Sequence, residues 1–349
     1  MNQDETSKFI DLYFDEVLRP ILPNVKKGGH SSWGNADGSN QSVQMDLLGL
    51  AETYNQSIYC YSGPLTFIHY TSIDSIINIL NTGSIRLYDL NNMTDPNEMN
   101  YAFNHIAEEI NHDKVKNLKS QIFSFSFCKY NATDLLDDFE MWRLYGLDGN
   151  GIGLVFSIDQ NNRDTWHHCI LSEILYGENK KKSLLEFRER DKAFKEKYKN
   201  DITLENTHEL ALAMASLHKD DIFINEKEVR LLWTTKANNK IWHDHDTDYD
   251  IYETLNKDGD KTHYFNLKLY SPNLFQELRK KEAESSEYPQ AFAKFTKLHR
   301  PKIQIDKIIL GYRIKNENLF KVSELLKALA IKRYGAFIPI ESSSLIKKF

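Results

Sequence analysis

Residues 67–87, FIHYTSIDSIINILNTGSIRL, read without a break as a strand, a capped helix, a glycine stop and a second strand. Ile73, Ile76, Ile77 and Leu80 keep the i, i+3, i+4, i+7 spacing that gives a helix one buried face. Thr71 or Ser72 supplies the N-cap. Gly83 suits the left-handed position just past the last turn, and residues 84–88 then alternate as a half-buried strand does. His69, Tyr70 and Thr71 sit where the first strand meets the helix. The first N–H groups of a helix have no partner inside it, so this junction can bind the phosphates or hydroxyls of a nucleotide. A hydrogen bond closed inside a core is the alternative use of a lone histidine such as His69.

Further motifs follow in order. In Met93-Thr94-Asp95-Pro96-Asn97-Glu98, Pro96 presets a turn. Asp95 and Glu98 beside it suit a pocket mouth or an ordinary helix start. Residues 121–127, QIFSFSF, form a strand with Ser124 and Ser126 on one face and aromatics on the other. Residues 139–145 form a short amphipathic helix closed by Gly146, and residues 151–156 form a buried strand. Trp142 and Tyr145 lie three apart on that helix, a spacing that serves an aromatic wall for a base as well as a core contact. Glu226, Glu228 and Arg230 recur at every second position as the chain enters a strand over 229–233, which places them on one face. A solvated charge ladder at a strand edge is the competing reading, and on either reading Glu228→Gln is expected to retain the fold, because a strand-edge carboxylate contributes little stability.

The ordered series His-Tyr-Thr, Asp-Pro-x-Glu, Phe-Ser, Met-Trp-x-x-Tyr, Gly-x-x-x-x-Phe, Glu-x-Glu-x-Arg and a late Ile-Ile-Leu-Gly resembles the bacterial domain-of-unknown-function 2971 family over residues 67–311. That family in turn resembles ADP-ribosyltransferases, in which a strand-borne histidine, a helix with its glycine turn and a late Glu-x-Glu come in the same order. The resemblance implies NAD as substrate, with His69 at a ribose hydroxyl and Glu228 at the nicotinamide ribose; Tyr70 and Thr71 beside His69 join the cofactor-binding set, although Tyr70 stands where many relatives have glycine. It further implies Ser124 or Ser126 as a polar contact and Tyr145 against the nicotinamide.

The chemistry makes sense of that set. Breaking the nicotinamide glycosidic bond leaves an oxocarbenium-like ribosyl centre, which a fixed carboxylate stabilises while it anchors a hydroxyl. Glu228 is the candidate for that work, and Glu226 the candidate to orient or deprotonate an acceptor. Arg230 either joins the binding set or neutralises both carboxylates.

The chain of 349 residues is long enough for a sizeable core, and 41% hydrophobic with 12% aromatic residues marks it as globular. A net charge of -6 gives no general pull toward nucleic acid or anionic membrane. No apolar run of membrane-spanning length and no apolar signal segment occurs, so a cytoplasmic protein is expected. Cys60, Cys128 and Cys169 are odd in number and scattered, which argues against disulfides and zinc. The run WHDHDTDYD lacks the glycine and terminal glutamate of a calcium loop, so no metal is assigned. Gly149-Asn150-Gly151-Ile152-Gly153 precedes a strand instead of opening a helix, so it is not a dinucleotide loop.

Residues 5–18 are expected as a helix, 24–40 as a Gly, Ser and Asn-rich loop and 42–54 as a second helix, giving a helical region over 1–60. The domain that follows, 61–349, carries a helical insertion at 178–218, with helices over 181–198 and 203–218. An acidic loop is expected over 238–260, strands over 263–270 and 303–310, and helices over 272–284 and 319–329. The expected fold is α+β, an ADP-ribosyltransferase-like split mixed β-sheet. The expected activity is ADP-ribosyl transfer from NAD to a macromolecular acceptor, protein or nucleic acid, or NAD hydrolysis. By the resemblance, a role as a bacterial toxin or phage-defence effector is implied. A nucleotide-sensing or interaction module that binds without turnover is the alternative, and a nuclease-like or phosphotransfer enzyme a third.

Overall fold

The computed structural model describes residues 3–34, 41–47, 53–93, 102, 112–131, 138–159, 166, 169–198, 202–205, 207–234, 251–256, 258–284 and 301–347. Helix α1 (Gln3–Tyr13) runs into a π turn (Phe14–Leu18), and β1 (Lys27–Trp33) then pairs antiparallel with β2 (Gln41–Leu47). This hairpin replaces the loop expected over 24–40 and the start of the helix expected over 42–54. Val43 and Met45 are both buried two residues apart, the period of a strand, and the Gly-rich segment before them supplies the partner.

The motif that opens the core folds as its pattern requires, into β3 (Thr66–Thr71), α2 (Ile73–Thr82) and β4 (Ser84–Asp89). Ser72 is the cap, its Oγ accepting from the Ser75 N–H at 3.1 Å, and Gly83 stops the helix at φ 60° and ψ 31°. Ser72→Ala should therefore cost about 1 kcal/mol of stability. Denaturant titration checks this, and a change below about 0.3 kcal/mol would mean that water caps the helix equally well.

Then come α3 (His112–Lys119), β5 (Ile122–Lys129), α4 (Phe139–Leu144), β6 (Ile152–Asp159), β7 (Cys169–Glu173), β8 (Leu175–Tyr176) and α5 (Lys182–Tyr198). The chain continues through β9 (Ile202–Glu205), α6 (Thr207–Ala215), β10 (His218–Lys219), β11 (Glu228–Thr234), β12 (Tyr252–Leu255) and β13 (Lys261–Lys268). It closes with α7 (Pro272–Glu284), β14 (Lys302–Leu310), α8 (Asn316–Leu329) and β15 (Ile340–Ser342). The helix expected over 203–218 is thus split between β9, α6 and β10, because β9 pairs in parallel with β2 and β10 with β8. Part of the acidic loop expected over 238–260 is strand β12, zipped antiparallel onto β13. The WHDHDTDYD run, and Asp95 to Glu98, lie outside the described residues.

Ten strands form one mixed sheet that forks at β5. One edge of β5 is paired along its length with β11, which pairs in turn with β7. The other edge is shared: β4 holds it at Phe123 and Ser124, and β3 at Cys128 and Lys129. From β4 one arm runs to β13 and β12, and from β3 the other runs through β6 and β14 to β15. Residues 125–127 face the open fork, and α2 spans it, since it connects β3 to β4.

Packing fixes the fork. Phe67, Phe123, Phe125, Phe127, Leu231 and Ile76 share one apolar core on one face of the sheet, closed by α2 and α8. On the other face, around β7 and β11, α1, α5 and α6 form a second core with Ile122, Ile170 and Leu232. β11 is consequently buried at every position, the signature of a strand covered on both faces. The N-terminal region and the insertion meet here: Phe9 and Tyr13 pack edge-on against Phe194, and Tyr13 donates a hydrogen bond to Asp191 at 2.8 Å. Gly151 and Gly311 allow the β6 and β14 termini to approach closely, and a Cβ at either would collide with backbone oxygen. The glycines of 149–153 are therefore packing residues, in keeping with their place before a strand.

Candidate functional site

A cavity of about 430 Å³ occupies the fork. Its walls are the end of β3, one side of α2, the outer residues of β4 and the middle of β5, and its floor is a cluster of charges from β10 and β11. The alternation of β5 sends Phe123, Phe125 and Phe127 into the core and leaves Ser124 and Ser126 on the cavity face. Register then brings Arg230 opposite Ser126, and Glu228 opposite Cys128.

Glu228 lies at the centre. Its Oε1 accepts from Ser126 Oγ at 2.5 Å, from Arg230 Nε at 2.9 Å and from Arg230 Nη2 at 2.7 Å. Its Oε2 pairs with Lys219 Nζ at 2.7 Å, and the same ammonium reaches Glu226 Oε2 at 2.7 Å. Arg230 also donates to the Ser216 carbonyl at 2.5 Å, and the Tyr145 hydroxyl donates to Glu226 Oε1. Glu226, Glu228 and Arg230 are 5%, 4% and 2% exposed, so they are not a solvated ladder, and β11 is not a strand edge. Burial alone lifts the Glu228 carboxyl, but Arg230, Lys219 and the hydrogen bonds from Lys219 and Ser126 outweigh it and hold it at about 2.

His69 reaches the same point from the other arm. Its Nδ1 is 2.9 Å from the carbonyl of Ser126, a residue whose edge toward β3 and β4 is left open by the fork, and its ring lies 4.5 Å from that of Phe125. A carbonyl can only accept, so Nδ1 carries the proton and Nε2 of the neutral ring is left as an acceptor. Burial pulls the imidazole below its ordinary range, against the opposing hydrogen bond to Ser126, which keeps it neutral at physiological pH. Ser126 therefore joins the two groups, its carbonyl held by His69 and its hydroxyl by Glu228.

The residues singled out from sequence mostly converge here. His69, Tyr70, Thr71, Ser124, Ser126, Tyr145, Glu226, Glu228 and Arg230 all line the cavity. Trp142 does not. It is fully buried with Met141 and Tyr312 and stacks edge-on with Tyr70 at 4.9 Å, so it props the wall from behind. Tyr145, the C-cap of the same short helix, lines the cavity instead. Glu226 also arrives by a route that strand spacing does not describe. It closes a 3₁₀ turn (Asp221–Glu226), and Lys227, at φ 47°, breaks the extended path before β11.

Lys219 escaped the sequence reading. Nothing in its neighbourhood marks it as a buried cation, since it becomes one only when the two-residue strand β10 pairs with β8. Tyr176 of β8, whose hydroxyl accepts from the Glu228 N–H at 2.9 Å, was hidden for the same reason.

Together these observations define a mixed α+β protein whose forked sheet holds a buried charge cluster at the foot of a cavity. Residues 141–231, from α4 into β11, match the model of the family described as "Protein of unknown function (DUF2971)". The matched segment contains Tyr145, Glu226, Glu228 and Arg230, while His69 and Ser126 precede it. No curated protein and no solved structure matches the chain. Among the described residues, no helix is long and apolar enough to cross a membrane, and no group of three or more His, Cys, Asp or Glu could hold a metal ion.

Proposed function

We propose that this chain consumes NAD, transferring ADP-ribose to a macromolecular acceptor or hydrolysing the dinucleotide. The observation that supports it is the junction at Ser126, where a neutral histidine from one arm of the fork and a carboxylate from β11 that is ionised at neutral pH meet beside a nucleotide-sized cavity. His69 Nε2 accepts a ribose hydroxyl, the hydroxyls of Thr71 and Ser124 offer further partners, and the Glu228 anion faces the developing ribosyl cation. Tyr145, 45% exposed and bonded to Glu226, stands where an acceptor enters. By the family resemblance, a toxin or phage-defence effector is the biological setting that suits such chemistry.

A specific observation favours a second reading. Both oxygens of Glu228 are already engaged by Ser126, Arg230 and Lys219, an arrangement that also suits a sensor which binds a nucleotide without turnover. One assay separates the two. Purified protein is incubated with NAD, with and without bacterial lysate, and nicotinamide release is followed. Release without lysate indicates hydrolysis, lysate-dependent labelling indicates transfer, and saturable binding with no release indicates the sensor. His69→Ala should raise the KM for NAD about tenfold, the loss of one buried hydrogen bond. An unchanged KM would remove His69 from the ribose.

A further inference from the structure

We propose that Arg86, with Tyr88, Tyr264 and Asn266 around it, forms a phosphate subsite of the cavity and takes the diphosphate of a nucleotide whose sugar lies toward Ser126. This rests on the nucleotide reading of the cavity but not on turnover.

Charge balance comes first. The buried cations of the cavity, Lys219 and Arg230, are paired with Glu226 and Glu228. Arg86 also lines the cavity, is exposed to it, and has no carboxylate at ion-pair distance among the described residues. The one other carboxylate of the wall, Asp89, is engaged by Thr262 and His263. Among the described residues, the fork thus carries its uncompensated positive charge on Arg86.

Rigidity comes second. The guanidinium carbon lies 4.7 Å from the centre of the Tyr264 ring, and Tyr88 lines the cavity beside it. Tyr264 is itself stacked on Tyr252 at 5.3 Å and 23°. An arginine laid on an aromatic face keeps its N–H groups in plane and free for a planar or tetrahedral anion. Asn266, opposite Arg86 in the β13–β4 register, adds a neutral donor.

Position comes third. Tyr88 pairs with Ser124, so Arg86 stands two residues further along β4, roughly 7 Å away, level with Ser126 across the open fork. A diphosphate at Arg86 is then placed to present its ribose to the Ser126 junction.

Calorimetric titration of ADP, adenosine and inorganic pyrophosphate against the wild type, Arg86→Gln and Arg86→Lys tests this. The glutamine variant should bind ADP and pyrophosphate about 30-fold more weakly and adenosine within about twofold of wild type, and lysine should recover part of the loss. Equal ADP affinity in wild type and Arg86→Gln overturns the subsite, as does an equal loss for adenosine or no binding of ADP and pyrophosphate to the wild type. The two proposals fail separately. Arg86-dependent ADP binding without NAD turnover ends the enzyme reading and leaves the subsite standing, whereas unchanged KM for NAD in Arg86→Gln does the reverse.

Discussion

Glu228→Gln should abolish nicotinamide release and lower the stability of the fold by about 3–5 kcal/mol, the usual cost of removing one partner from a buried ion pair. At a strand edge the same change would be nearly silent, but β11 is central, and the variant removes the carboxylate that Lys219 and Arg230 share, leaving Lys219 its pair with Glu226. The pH dependence carries the same signature. Glu228 sits at about 2 in the folded chain against an ordinary 4.5, so its contribution is present above pH 4.5 and is lost as the pH falls from there toward 2. That limb is worth about 3 kcal/mol and should vanish from the denaturation midpoints of the glutamine variant. Ser126→Ala, which removes one hydrogen bond and no charge, separates the activity loss from the stability loss. A glutamine variant with wild-type stability would refute the buried network, and one with wild-type turnover would remove Glu228 from the chemistry.

Trp142→Ala should cost about 3–5 kcal/mol, measured by denaturant unfolding, while leaving the KM for NAD within about twofold. The indole is fully buried against Tyr70, and the turn at Gly146 is pressed against it so tightly that a Cβ there would meet the ring at 2.5 Å. A raised KM with an unchanged unfolding midpoint would return Trp142 to the ligand wall, where helical spacing alone had allowed it to stand.

These two residues also show where reading along the chain stops working. Trp142 and Tyr145 share a helical stripe, yet the helix is only Phe139–Leu144. Tyr145 is its C-cap, about 60° around the helix from Trp142, and one aromatic enters the core while the other lines the cavity. Likewise Glu226 and Glu228 do reach one cluster, but a left-handed Lys227 and a lysine from β10 bring them there, not the two-residue period of a strand. At Val43 and Met45 the error ran the other way: the two-residue period was present and a helix was read over it.

Local pattern settled the elements whose signals are repeated over a few adjacent residues: the capped helix from Ile73, its stop at Gly83, the serine and phenylalanine faces of β5, and the apolar run of β14. Helix periodicity, capping and strand alternation are properties of neighbours in the chain, and so survive without knowledge of the fold. The fork of the sheet, the burial of β11 on both faces and the pairing of Lys219 with Glu226 and Glu228 depend on strands up to about 160 positions apart sharing the edges of β5. Such contacts arise when distant apolar faces are buried together, and no short window of residues encodes which distant partner a face will find.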